Sequence, residues 1–113
     1  MQVWFASSKL QKLLSSEKEL VRRFGKKCAE ELMDRMATLE AMPRLVDVPS
    51  EPPERRHKLY ADRKGQWSVD GHGGVRLCFK PANDPLPLLP NGEVDVEQVT
   101  EIEIVFVGDT HRG

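Results

Sequence analysis

Apolar residues recur along this chain with two different periods, and the change of period divides it. The alternating run "QVWF" (2–5) predicts a short first strand. "SSKLQKLLSS" (7–16) then offers Ser7 or Ser8 as an N-cap and sets Leu10, Leu13 and Leu14 at helical spacing. "SEKELVRRFGKKCAEELMDRMATLEAM" (16–42) carries the strongest helical pattern. Ser16 and Glu19 have capping-box spacing, and Leu20, Val21, Phe24, Cys28, Leu32, Met36 and Leu39 fall on one face. Arg22, Arg23, Lys26, Lys27, Glu30, Glu31 and Arg35 fill much of the rest. Gly25 is a weak point inside this helix, worth about 1 kcal/mol against Ala, and Pro43 ends it.

Beyond the Pro-rich loop "DVPSEPPERR" (47–56) the period becomes two. "HKLY" suggests a short strand. "QWSVD" alternates Trp67 and Val69 against Gln66, Ser68 and Asp70, "GHGG" (71–74) is a hairpin turn, and "VRLCFK" alternates Val75, Leu77 and Phe79 against Arg76, Cys78 and Lys80. Residues 81–99 hold four prolines and an Asn-Gly turn, which predicts a long excursion with a short hairpin. "TEIEIVFVGD" (100–109) is the last strand, with Ile102, Ile104 and Phe106 on one face and Val105 and Val107 making the other apolar too. The expected architecture is a single α+β domain spanning residues 1–113, in which two N-terminal helices pack on one face of a small, mostly antiparallel sheet. No internal repeat is visible.

Composition narrows the class. With 39% hydrophobic and 31% charged residues, the chain can bury one modest core. No apolar run approaches the roughly 20 residues of a membrane span, and the first residues lack a signal-peptide pattern. Two cysteines, Cys28 and Cys78, are too few for a secreted disulfide scaffold, so reduced thiols in a cytoplasm are expected. The net charge of −1 hides a polarity: residues 1–80 carry 16 Lys/Arg against 11 Asp/Glu, and residues 81–113 carry one against seven. Any basic surface must therefore be local.

The candidate chemistry is also local. If Val75 and Leu77 face the helices, Arg76 projects from the opposite face, where its planar fork suits a phosphate. The plainer reading is a strand arginine paired with an acid across the sheet. His57 stands where the loop enters the sheet, and imidazole moves protons in either direction near neutrality. His72 lies in a Gly-flanked turn, where a surface role is simplest. Asp109 and His111, in "GDTHRG", share a side if the last strand continues. Lys58, Arg63 and Lys64, with Arg55 and Arg56, make a basic patch, either a solvated face or a set of phosphate contacts. Trp67 and Cys28 are read as core. Cys78 has the strand parity of Arg76. Two cysteines without paired histidine spacing make no zinc site, and there is no phosphate-binding Gly loop, nucleophile elbow or His-Glu metal motif.

"HKLYADRKGQWSVD", "GGVRLCF" and the terminal "VGDTH" together resemble the HigB-type branch of the RelE/ParE toxin superfamily, the toxins of type II toxin–antitoxin operons. The likeness covers nearly the whole chain, and the RelE-like fold it implies agrees with the α+β reading. It implies a ribosome-dependent mRNA endoribonuclease that uses no metal or other cofactor. A ribose 2′-OH attacks the adjacent phosphate, leaving a cyclic phosphate and a free 5′-OH. By position, His57 and His111 are similar to the family's acid/base histidines, Asp109 to an orienting acid, and Arg76 to the arginine on the scissile phosphate. Lys58, Tyr60, Arg63 and Lys64 would bind RNA. Implied partners are a HigA-like helix-turn-helix antitoxin, the ribosome with its mRNA, and operator DNA through the antitoxin alone, with no membrane. The chain departs from the pattern at Thr110, where such toxins often carry tyrosine, and at Tyr60, where they often carry lysine. A ParE-like gyrase poison and a non-catalytic antitoxin-binding relative are the alternatives.

Overall fold

A computed structural model describes residues 1–110, and both serine caps are in place. Ser7 Oγ accepts from Leu10 N at 3.1 Å to start α1 (Ser8–Leu14), and Ser16 Oγ accepts from Glu19 N at 3.2 Å to start α2 (Glu17–Phe24). The long helical stretch does not continue through Gly25. That residue has φ 87° and ψ 163°, its N–H closes α2 on Val21 O at 2.8 Å, and α3 (Lys26–Ala41) begins immediately after it. The expected two helices are therefore three. Gly25 is a hinge in the left-handed half of backbone space, which a residue with a Cβ enters only at a cost.

Five strands form one sheet in the order β1-β5-β4-β3-β2, with β1 at Gln2–Phe5, β2 at His57–Lys58, β3 at Trp67–Asp70, β4 at Val75–Pro81 and β5 at Glu101–Asp109. Strands β2 to β5 pair antiparallel, but β1 runs parallel to β5, so the sheet is mixed. The 81–99 excursion folds on itself through a Leu88–Val94 bridge and a Leu89 N to Glu93 O bond of 2.7 Å. It then delivers the fully buried Val99 to the turn after α3, where Leu45 N donates to Val99 O at 3.0 Å.

Helices cover one face of the sheet. Leu20, Leu32 and Leu39 pack with Val69, Leu77, Phe79, Ile102 and Ile104, all with no exposed surface. Burial of this kind supplies about 1.5–3 kcal/mol per large apolar side chain and is the main stabilising contribution. Arg35 departs from the expected polar face of its helix. It is 5% exposed, and its Nε donates to Asp70 O at 2.8 Å, tying α3 to the end of β3.

The last strand does not keep one phase. Phe79 pairs with Ile104 but Cys78 pairs with Phe106, so Val105 is an extra residue in a β-bulge. Ile102 and Ile104 face the core as expected. Phe106 does not: the bulge turns it to the opposite face, and Val107, opposite Leu77, replaces it inside. Gly108 makes room for that ring. A Cβ there would lie 2.8 Å from Phe106 Cζ.

Two stability measurements follow from this geometry. Gly25→Ala should lower the urea midpoint, by roughly 1–2 kcal/mol in stability, because φ 87° is unfavourable for alanine; a continuous helix would instead gain from the change. Gly108→Ala should cost about 1–3 kcal/mol by overpacking, and clearly less in a Phe106→Ala background. An equal cost in both backgrounds would show that the ring is not what Gly108 accommodates.

Candidate functional site

The face of the sheet away from the helices gathers the chemistry. Cross-strand register places His57 beside Ser68, Ser68 beside Cys78, and Asp70 beside Arg76. Ser68 and Asp70 are two residues apart on one strand, so these rows lie about 7 Å apart on the same surface.

Arg76 projects from β4 as its neighbours' burial requires. Its Nε is 3.3 Å from Asp70 Oδ1, and its Nη1 donates to Thr110 Oγ1 at 3.2 Å. The cross-strand acid of the plainer reading is thus present, and it is Asp70, a residue not singled out in the sequence. Asp70 Oδ2 is also 3.5 Å from Arg55 Nε. The sequence did not mark this pairing, because a four-residue turn at 71–74 would set Asp70 opposite Val75, whereas the observed register sets it opposite Arg76.

The segment after β2 arches over this face. Ala61 has φ 54°, a left-handed conformation in a non-glycine residue, and it opens the 3-10 turn Ala61–Arg63. Such a conformation costs of order 1–2 kcal/mol; it recurs at Arg55, with φ 48°, and at Ala61 it lies between two candidate residues. On one side Tyr60 is 73% exposed. On the other, Arg63 turns inward, with its guanidinium 4.1 Å from the centre of the Phe106 ring and Nη1 3.4 Å from Gln66 Oε1. Stacking on an aromatic face is characteristic of arginine and leaves its fork available to an anion. Leu59, Tyr60, Ala61, Asp62, Arg63, Arg76 and Thr110 line a cavity of about 260 Å³. Beneath it, Cys78 is fully buried. Burial pushes its thiol up, outweighing the opposing influence of Arg63 and Arg76, which disfavours the thiolate.

His57 stands at the edge of this surface. Its Nδ1 is 3.0 Å from Arg55 O, and its Nε2 is 3.4 Å from Ser68 Oγ. A carbonyl can only accept, so this contact places the proton on Nδ1 and leaves Nε2 as the basic nitrogen of the neutral ring.

The remaining sequence candidates are not all brought together. Lys64 is exposed at the end of the arch. Lys58, opposite Trp67, points to the helix-covered side, where its Nζ lies 5.8 Å from the Trp67 ring and 4.0 Å from Glu93 Oε1. Asp109 pairs with Val75 and lies beside Gly74, on the face opposite Arg76. The expected sharing of a side by Asp109 and His111 has its second partner outside the described residues. Among the described residues, no group of three or more His, Cys, Asp or Glu is placed to hold a metal ion, and no helix is long and apolar enough to cross a membrane.

A second hollow lies on the other side of Phe106, between α1 and β5. It is lined by Leu10, Leu13, Val105 and Phe106 with Lys9 and Arg23, and has a volume of about 200 Å³. Phe106 is therefore common to the walls of one hollow and the arginine stack of the other.

No protein-family model matches the chain, and no curated protein matches it. Solved structures do. The YoeB/ParE toxin from Agrobacterium tumefaciens aligns with a TM-score of 0.56 and 13% identity, covering 96% of this chain and 98% of that one. A chain of the YoeB–YefM complex from Staphylococcus aureus aligns with a TM-score of 0.51 and 13% identity, covering 96% and 94%. The fold of this chain, three helices against a five-stranded mixed sheet, is similar to that of YoeB/ParE-type toxins.

Proposed function

We propose that this chain is the toxin of a type II toxin–antitoxin pair, of the HigB type, and that it acts in the cytoplasm as a ribosome-dependent mRNA endoribonuclease. The observation that carries this reading is the cavity in which Arg76, Arg63 and the exposed ring of Tyr60 meet. Two guanidinium groups offer forks to a phosphodiester, and an exposed aromatic ring offers a stacking surface to a neighbouring base. The toxin fold supports the same class.

In this reading Arg76 holds the scissile phosphate and stabilises the charge that builds on its oxygens. His57 Nε2 takes the proton from the ribose 2′-OH as the oxygen attacks phosphorus. The bond from phosphorus to the 5′ oxygen breaks, leaving a cyclic phosphate, and His111 returns a proton to the leaving oxygen. Asp109 orients the tail that carries His111. Arg63 and Lys64 hold the RNA backbone beside the cavity, and Lys58 contacts backbone at the β2 edge.

Purified Arg76→Ala should stay folded and lose about 10²–10³-fold in cleavage of ribosome-bound message. A folded variant that cuts at the normal rate would refute the mechanism. The placement of Asp109 away from Arg76 favours a second reading, a ParE-like gyrase poison, which needs no acid/base pair. Expression that leaves message intact but induces DNA breaks and an SOS response would select it, and unimpaired growth would select a non-catalytic antitoxin-binding relative. The antitoxin itself is expected as a small helix-turn-helix protein encoded beside this gene. Co-expression should restore growth, and operator DNA should be retained by the complex and not by the toxin alone. Absence of any such neighbouring frame, with no rescue, would count against the toxin reading.

A further inference from the structure

Asp70 collects more of the molecule than its place at the end of a short strand requires. Its N–H donates to Glu54 O at 2.8 Å, and its carbonyl accepts from the buried Arg35 at 2.8 Å. Both backbone groups are therefore fixed, one by the loop before β2 and one by α3. Its side chain then faces two cations, Arg55 Nε at 3.5 Å and Arg76 Nε at 3.3 Å. Oδ1 is buried, and its contact with Arg76 is ionic without an aligned hydrogen bond.

Two features of this cluster suit it to an anion. The carboxylate engages Arg76 through Nε, the inner side of the guanidinium. The outer edge carries Nη1, whose partner is the neutral hydroxyl of Thr110 at 3.2 Å, and Arg76 and Thr110 both line the cavity. A phosphate oxygen is a stronger acceptor than that hydroxyl and can replace it. The charge is also shared: one carboxylate stands between two guanidinium groups, so the three side chains keep a net positive charge. A carboxylate paired with Arg76 alone would cancel it.

We propose that Asp70 is a positioning residue: braced by Arg35 and shared with Arg55, it holds Arg76 by Nε so that the Nη edge faces the cavity, ready for a phosphodiester. This rests on the assignment of Arg76 to phosphate in the proposed function. Asp70 touches no substrate and acts through Arg76.

The test uses Asp70→Asn, which is nearly isosteric, and Arg55→Gln, at a side chain 58% exposed, where folding is not in question. The Nε–Hε signal of Arg76 is followed by NMR in the full chain while inorganic phosphate is added, and cleavage of ribosome-bound message is measured in parallel. Asp70→Asn should displace the Arg76 signal and raise the phosphate concentration at half-saturation at least tenfold. It should lower kcat at least tenfold while KM changes less than about threefold. Arg55→Gln should weaken phosphate binding about three- to tenfold and leave the Arg76 signal of the free protein nearly in place. An unmoved Arg76 signal in Asp70→Asn, or unchanged phosphate binding in either variant, would overturn the proposal. Loss of stability with normal kcat would reduce Asp70 to a structural role and overturn it equally. If the wild-type chain binds phosphate at Arg76 but cuts no message, the endoribonuclease reading fails and the phosphate titration still decides the role of Asp70.

Discussion

A buried arginine sets the frame of this molecule. Arg35 enters the space between α3 and the sheet, where an unpaired cation would cost several kcal/mol. Its Nε is satisfied by the Asp70 carbonyl, and Glu31 lies 3.8 Å from its Nη2. The end of β3 is therefore fixed relative to the helical layer by a polar contact as well as by apolar packing. The hairpin to β4 starts from that fixed end, and with it the register that sets Arg76 opposite Asp70. Apolar burial alone would leave that end less determined, because β3 contributes only Trp67 and Val69 to the core.

The charge polarity of the sequence becomes a polarity across the sheet's outer face. Arg55, Arg63 and Arg76 collect on the side of β2, β3 and the end of β4. On the β1 side, Glu103 pairs with Lys80 at 3.4 Å, and Glu101 accepts from the Trp4 indole at 3.0 Å. The basic end thus carries three guanidinium groups and the carboxylate of Asp70, and the β1 end carries the Lys80–Glu103 pair and Glu101.

Much of the fold was legible because it depends on periodicity and on caps. Ser7, Ser16 and the alternation through "QWSVD" and "VRLCFK" specify elements by local chemistry, and all of these elements are present. The break at Gly25 was visible as a residue but not as an event, since a glycine costs a helix little and the flanking pattern runs through it. The bulge at Val105 left no mark. Four successive apolar residues, Ile104 to Val107, satisfy a buried strand in either phase, so hydropathy cannot say which of them faces inward. At the site, Arg76 was readable from strand parity. Asp70 and Arg35 were not, because Asp70 meets Arg76 only through a one-residue choice of hairpin register and Arg35 takes its partner from far away in the chain.

That run of four apolar residues also bears on how a fold of this kind can diversify. Either phase of the strand supplies the interior with acceptable side chains. A one-residue insertion or deletion therefore exchanges what is displayed on the open face while the layer beneath stays filled. The aromatic ring under Arg63 is what the present phase displays. Changing it needs no new core, no new topology and no substitution in the helices, so surface chemistry and architecture can drift on separate clocks.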